Sequence, residues 1–245
     1  MLAIEPTDND SCRPDDLPPV ARVVLERVVP CGPEPVRRLA AVVDEKLARV
    51  RELETIAPDR FRDAWDDVLC GVVSTRPYRS RIRADTDHRE VRALVREARE
   101  GQLGANDIPD VGDRLVGAPL EVRLDVASEL LHGAAPDRVA LLARWVWNPS
   151  RGTGALAELG RPAGDTYTDA QARLGEVRLG VGALGYPWPT FAMVDVVLAL
   201  SCAARLQQVT DGALRSGGFE SLLPGAFPIA TMILGVRRRV NDADR

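Results

Sequence analysis

Apolar residues recur at helical spacing through most of the chain. From residue 20 onward the intervals are three and four, whereas the strict alternation typical of strands is nearly absent. The clearest example starts at Pro35, a residue type favoured in the first turn of a helix. Its apolar face comprises Val36, Leu39, Val43, Leu47, Val50 and Leu53. The pattern predicts an all-α fold, a single compact domain of eight to ten helices covering residues 19–245.

Further helices are predicted where the same spacing follows a proline or a capping residue. Their starts lie near Pro58, Thr86 or Asp87, Pro119 and Pro136. The helix from Pro58 has an apolar face of Phe61, Trp65, Val68, Leu69 and Val72. The helix from Pro119 is expected to stop at Gly133, and the one from Pro136 to continue through Trp147 until Pro149 ends it.

Two strongly apolar segments lie near the end of the chain, at residues 180–204 and 221–236. Asp195 is the only charged residue of the first segment, and the second contains none. Uniformly apolar helices are typical of the centre of a helical domain. A membrane hairpin is the alternative, but prolines interrupt both segments and Asp195 would lie near the middle of the bilayer. We therefore predict that two central helices, over about 190–208 and 221–238, form the core, and we expect no membrane association.

Residues 1–18 combine five acidic residues with three prolines and few apolar residues, which predicts a mobile tail. They lack the pattern of a secretory signal, so a cytoplasmic location is expected. The formal charge of −4 excludes a basic field over the whole protein. The cysteines and the two histidines do not have the spacing of a zinc site, so we expect no metal and no cofactor.

The first candidate site is the arginine-rich stretch of residues 76–99, which contains eight arginines against four acidic residues. Its candidate anion- or nucleic-acid-binding residues are Arg79, Arg81, Arg83, Arg89, Arg92, Arg96 and Arg99. The last four share one face at helical spacing, and such a face can neutralise phosphates. The alternative is a solvated face with intrahelical ion pairs. Lys46 is the only lysine of the chain, so arginine is favoured everywhere and its presence here carries little weight.

The second candidate is the segment RWVWNPSRGTG at residues 144–154. Two tryptophans two positions apart point in nearly opposite directions on a helix, so one of them should lie near the surface or a cleft. Backbone N–H groups of the glycine turn that follows can hold an anion, and an indole can stack on a ring. The candidate ligand-binding residues are Arg144, Trp145, Trp147, Arg151, Gly152 and Gly154. The alternative is that both tryptophans only pack.

The third candidate is Asp195, a carboxylate on an otherwise apolar helix, which must be paired, hydrogen-bonded or protonated if it is buried. Cys202 lies on the same helix face, so Asp195 could act as a general base or in a carboxylate–thiol site. The alternative is a structural pair with an arginine or a helix end. His88 and His132 are too far apart to indicate a catalytic dyad, and the catalytic residues stay unidentified.

The leading functional hypothesis is a non-enzymatic helical interaction protein, because no recognised catalytic motif is present. It would assemble with itself or with a protein partner through a helix face. The first alternative is nucleic-acid or nucleotide binding through residues 76–99 and the Trp145–Gly154 loop. The second is an enzyme with a site near Asp195 or Arg144, and a membrane-associated role is the remaining one.

Overall fold

Nine α-helices form the framework of the part of the protein that the computed structural model describes, residues 33–159, 164–186, 188–215 and 226–236. They are α1 (Pro33–Glu52), α2 (Phe61–Cys70), α3 (Arg79–Asp85), α4 (His88–Arg99), α5 (Ile108–Arg114), α6 (Leu120–Ala134), α7 (Tyr167–Ala183), α8 (Ala192–Arg215) and α9 (Ala226–Ile233). Within these ranges no strand forms, and one isolated bridge joins Asn148 to Thr153. The prediction of a single all-α domain is confirmed.

The apolar faces of the first helices are buried as their spacing predicts. On α1 the buried residues are Val36, Leu39, Ala40, Val43, Lys46, Leu47 and Val50, and on α2 they are Phe61, Trp65, Val68 and Leu69. Asp87 caps α4, because its carboxylate accepts a hydrogen bond from the backbone N–H of Arg89 at 2.9 Å. Local pattern and capping chemistry therefore agree with the tertiary structure in this half of the protein.

The prediction of a helix from Pro136 to Trp147 is wrong. Residues 139–143 form a buried, irregular segment beside α6. Side chains satisfy its backbone: the N–H of Ala140 donates to Gln171 at 2.8 Å, and that of Leu142 to Ser128 at 2.7 Å. A buried segment can stay irregular only when its backbone polar groups find such partners. These partners lie 14 and 31 residues away in the sequence, so local spacing gave no sign of them.

Two helices are enclosed on all sides over part of their length. Every residue is buried at 125–134 of α6 and at 192–200 of α8. α6 packs against α1, α4 and α5, and α8 packs against α1, α7 and α9. Gly133 permits the close approach of α6 to α1, because a Cβ atom there would lie 2.5 Å from a methyl carbon of Val50. In α9 Ala230 is buried, whereas Pro228 is exposed.

Several predictions fall wholly or partly outside the described residues. These include the tail at residues 1–18, the start of the proposed domain at residues 19–32, and both ends of the helix expected over residues 221–238. None of the helices that the structure describes combines the length and the apolar character needed to cross a membrane.

Candidate functional site

A line of four polar side chains runs along the buried face of α6. Asp125, Ser128, Glu129 and His132 follow the spacing i, i+3, i+4, i+7, which places them on one side of the helix. Their exposed fractions are 5%, 0%, 4% and 0%. Core stripes at this spacing are normally apolar, and buried polar groups require partners. We call these four residues the polar stripe of α6.

At the inner end of the polar stripe, His132 pairs with Asp195 of α8. His132 Nε2 lies 2.8 Å from Asp195 Oδ2, and Nδ1 lies 2.7 Å from the carbonyl oxygen of Val139. Both nitrogens face acceptors, so an imidazolium can donate to Asp195 Oδ2 and to the Val139 carbonyl oxygen at the same time. Burial opposes the positive charge, but the charge and hydrogen bond of Asp195 outweigh it and raise the pKa of His132 above its usual value.

This inner pair is sealed within the core. The two side chains are 0% and 3% exposed, so the described residues shield the pair almost completely from solvent. Asp195 is therefore buried and paired, as expected, but its partner is a histidine and not an arginine. Sixty-three residues separate His132 from Asp195, which is why the sequence alone did not join them.

At the middle of the stripe, Glu129 pairs with Lys46 of α1. Lys46 Nζ lies 2.7 Å from Glu129 Oε1 and also donates to the carbonyl oxygen of Leu234 at 3.1 Å. The side chains of Lys46 and Glu129 are 8% and 5% exposed. Across the described residues, no hydrogen bond engages the second carboxylate oxygen, Glu129 Oε2. Lys46 of α1 therefore contacts both α6 and the residue that follows α9, and Glu129 Oε2 stays available to accept a hydrogen bond.

At the outer end of the stripe, Asp125 holds Arg144. Asp125 Oδ1 accepts from the backbone N–H of Arg144 at 2.9 Å, and Oδ2 accepts from Nε at 3.1 Å and Nη2 at 2.9 Å. The hydrogen bond to Asp125 raises the pKa of Arg144, although partial burial opposes the shift. Burial and the charge of Asp125 raise the pKa of the nearby Tyr167, so its phenol is neutral at physiological pH.

An open cleft of about 240 Å³ lies over this outer end, and we call it the α6 cleft. It is lined by Gly71, Val72, Val73, Ser74, Asp125, Glu129, Ala143, Arg144, Trp145 and Ile233. Apolar side chains predominate, and the polar groups come mainly from α6 and Arg144. The hydroxyl of Ser74 is buried without a hydrogen-bond partner in the described part of the chain. The α6 cleft thus brings together an indole, a guanidinium and two carboxylates.

Only part of the segment of residues 144–154 lies at the α6 cleft. Arg144 and Trp145 line the cleft, whereas Trp147 packs edge-on against Tyr167 with ring centroids 5.0 Å apart. Arg151 and Gly152 are exposed in a turn that the Asn148–Thr153 bridge closes. Gly154 has a φ of +117°, and a Cβ atom there would meet the carbonyl oxygen of Val146 at 2.5 Å.

Trp145 does lie at a cleft, but not for the reason that the sequence suggested. The helix on which their opposite directions were based is absent, and the turn after Ala143 separates them instead. Trp145 is half-buried beside the cleft, and Trp147 is 6% exposed within the core. The structure does not place Trp147, Arg151, Gly152 or Gly154 at the α6 cleft.

The arginines of residues 76–99 do not all face solvent. Arg79 and Arg83 pair with Asp66 at 3.2 Å and Asp63 at 3.9 Å, both on or next to the exposed side of α2. Two others bind the segment between α1 and α2: Arg92 donates to the carbonyl oxygen of Ile56, and Arg99 pairs with Glu54. These four side chains therefore connect α3 and α4 to the preceding part of the fold.

The remaining three candidates of that stretch, Arg81, Arg89 and Arg96, are exposed. None of the three has a side-chain ion pair with another described residue. The face of four arginines expected on α4 is thus divided, because Arg92 and Arg99 reach back to the α1–α2 connection.

No group of three or more histidine, cysteine, aspartate or glutamate side chains in the described ranges is arranged to hold a metal ion. No family model matches the chain, and neither the curated proteins nor the solved structures contain a significant match. The contacts of the polar stripe and the α6 cleft are therefore the basis for a functional proposal.

Proposed function

We propose that the protein binds a small organic molecule in the α6 cleft. The observation that carries this proposal is Glu129, whose side chain lines the cleft, is 5% exposed and has an oxygen without a partner among the described residues. Glu129 Oε2 is not among the fully buried side-chain atoms without a partner, so the open cleft leaves it accessible to water or to a ligand. A donor group on a ligand would supply the missing bond.

The lining of the cleft supports the proposal. Val72, Val73, Ala143 and Ile233 provide apolar contacts, and Trp145 provides a flat aromatic face. Ligand sites typically combine such apolar walls with a few polar groups that fix orientation. The volume of about 240 Å³ is below the range of about 300–1,000 Å³ common for drug-sized ligands, which favours a small molecule.

The other functional hypotheses stay predictions. Exposed large apolar side chains such as Leu179 and Val209 occur on the described helices, but scattered apolar residues are normal on protein surfaces and do not favour assembly. Nucleic-acid binding would depend on Arg81, Arg89 and Arg96. The hypothesis of an enzyme site near Arg144 concerns the same residues as the α6 cleft. An enzyme would also bind a ligand there, so ligand binding is common to both hypotheses.

The test is a binding screen with one-ring fragments that carry neutral, cationic or anionic groups. The four tryptophan indole N–H signals are followed by NMR, and a Trp145→Phe variant identifies that of Trp145. We expect some fragments to shift the Trp145 signal in a saturable manner while the signals of Trp65 and Trp188 stay in place. If no fragment moves the Trp145 signal at millimolar concentration, the proposal is wrong.

A further inference from the structure

The charges around the α6 cleft indicate which chemical class its ligand belongs to. Resting on the proposed function, we infer that the ligand is an organic cation, a small ammonium compound with an apolar or aromatic body. The ammonium group would donate to Glu129, and its body would lie against Trp145 and the apolar lining.

The donor balance of the cleft favours a ligand that donates. Asp125 already accepts three hydrogen bonds from Arg144, so among the carboxylates that line the cleft Glu129 Oε2 is the oxygen without a hydrogen bond to a described residue. A carboxylate accepts hydrogen bonds and cannot donate when ionised. An ammonium group offers three N–H donors and a compensating charge, and charge-assisted hydrogen bonds are the stronger class.

The local charge also favours a cation. Lys46 is held by Glu129 and the carbonyl oxygen of Leu234, and Arg144 directs Nε and Nη2 to Asp125. Both cations therefore already have an anionic partner. Glu121, one turn before Asp125, lies close enough for its charge to raise the pKa of Arg144. Three carboxylates thus act on Arg144 and Lys46, while Arg123, also at this end of α6, donates to the carbonyl oxygens of Gly112 and Leu115.

The indole of Trp145 adds a contact that suits the same class. Trp145 lines the α6 cleft together with Glu129 and is half-buried. An ammonium group within about 6 Å of an indole face is attracted by the ring quadrupole, and the attraction grows as water is excluded. A neutral ligand of the same shape would lose both this attraction and the charge of Glu129.

The experiment compares three probes of nearly equal size on the unmodified protein: benzylammonium, benzyl alcohol and benzoate. Each is titrated at pH 7 and constant ionic strength, and the shift of the Trp145 indole signal gives the Kd. We expect benzylammonium to bind at least about ten-fold more tightly than benzyl alcohol, as one charge-assisted contact would produce. Benzoate should bind most weakly.

A matched pair of variants identifies the carboxylate responsible. Glu129→Gln should reduce the preference for benzylammonium over benzyl alcohol to about one. Glu45→Gln removes the same charge from the exposed face of α1, next to Lys46, and should leave the preference unchanged. Because Glu129→Gln also removes the partner of Lys46, its amide NMR spectrum is compared with that of the parent. If the variant unfolds, the three probes on the unmodified protein decide the question.

The two proposals fail in different ways. No response of the Trp145 signal to any probe overturns both the cation inference and ligand binding at the α6 cleft. Equal or tighter binding of benzyl alcohol or benzoate overturns the cation inference and leaves the binding site in place. A preference that persists in a folded Glu129→Gln variant also overturns the inference, since another group would then select the cation.

Discussion

The two ends of the polar stripe hold similar ion pairs in opposite surroundings. At the inner end, both nitrogens of His132 have acceptors, and the His132–Asp195 pair is at most 3% exposed. At the outer end, the Arg144 side chain is 40% exposed beside the α6 cleft, and in the middle of the stripe Glu129 has an oxygen without a partner among the described residues. The comparison shows that a pair enclosed in the core can act only on the fold, whereas an open acceptor beside a cleft can also reach a ligand.

The same difference applies to two hydroxyl groups. Ser128, within the stripe, accepts a hydrogen bond from the backbone N–H of Leu142 at 2.7 Å and fixes the irregular segment beside α6. The buried hydroxyl of Ser74, at the α6 cleft, has no partner in the described part of the chain. Ser128 therefore stabilises the fold, whereas the hydroxyl of Ser74 leaves hydrogen-bonding capacity unused at the cleft.

The largest expected effect is at the sealed pair. Asp195→Ala should lower the free energy of unfolding by about 3–5 kcal/mol, because it leaves His132 buried without its counter-charge. Asp195→Asn should cost less, since an amide can donate to a neutral imidazole whose Nδ1–H still binds Val139. Urea unfolding monitored by circular dichroism measures both values.

Asp137→Ala is the matched control for that loss. Asp137 is exposed, and its side chain has no ion pair with a described residue, so the change should be within about 0.5 kcal/mol. If Asp195→Ala is as stable as Asp137→Ala, the conclusion that buried His132 depends on Asp195 is wrong.

A smaller effect separates the two serines. Ser128→Ala should destabilise the protein by about 1–3 kcal/mol, because the buried N–H of Leu142 loses its acceptor. Ser74→Ala should change the stability of the ligand-free protein by less than about 0.5 kcal/mol, because no hydrogen bond is lost. Parallel denaturant titrations compare the two variants, and equal losses would remove the distinction between the two hydroxyl groups.

The smallest effect is a pH dependence that arises from His132. Its folded-state pKa is raised above the unfolded value of about 6.5, so the pair's contribution is complete below that pH. The contribution is lost as the pH rises through the folded pKa, with a slope of at most about 1.4 kcal/mol per pH unit. Stability is measured between pH 6 and 9 in the parent and in Asp195→Asn.

The Asp195→Asn variant should lose this slope, because an amide no longer favours the charged form of His132. The two proteins differ only at residue 195, so subtraction of the two profiles isolates the pair. A constant difference between the profiles above pH 6.5 would show that His132 does not hold a proton for Asp195.

Much of the fold could be predicted from the local sequence pattern, whereas the contacts of the candidate site could not. The buried face of α1 and the cap at Asp87 depend on residues within a few turns of each other, so spacing and capping chemistry were sufficient. The polar stripe of α6 was not predicted, although its four residues lie at helical spacing in the sequence. Its ion pairs depend on Lys46 and Asp195, which lie 83 and 63 residues from their partners on α6.

The prediction of a helix over residues 136–147 failed for the same reason, because contacts with distant residues decide the structure there. Local sequence favours a helix there, but hydrogen bonds from α6 and α7 satisfy the backbone in a different conformation. The sequence by itself determined the all-α class and the apolar faces, because those depend on short-range spacing. Only the tertiary structure decided which charges pair, which are sealed and which meet a cleft, because burial and electrostatic pairing act between groups brought together by folding.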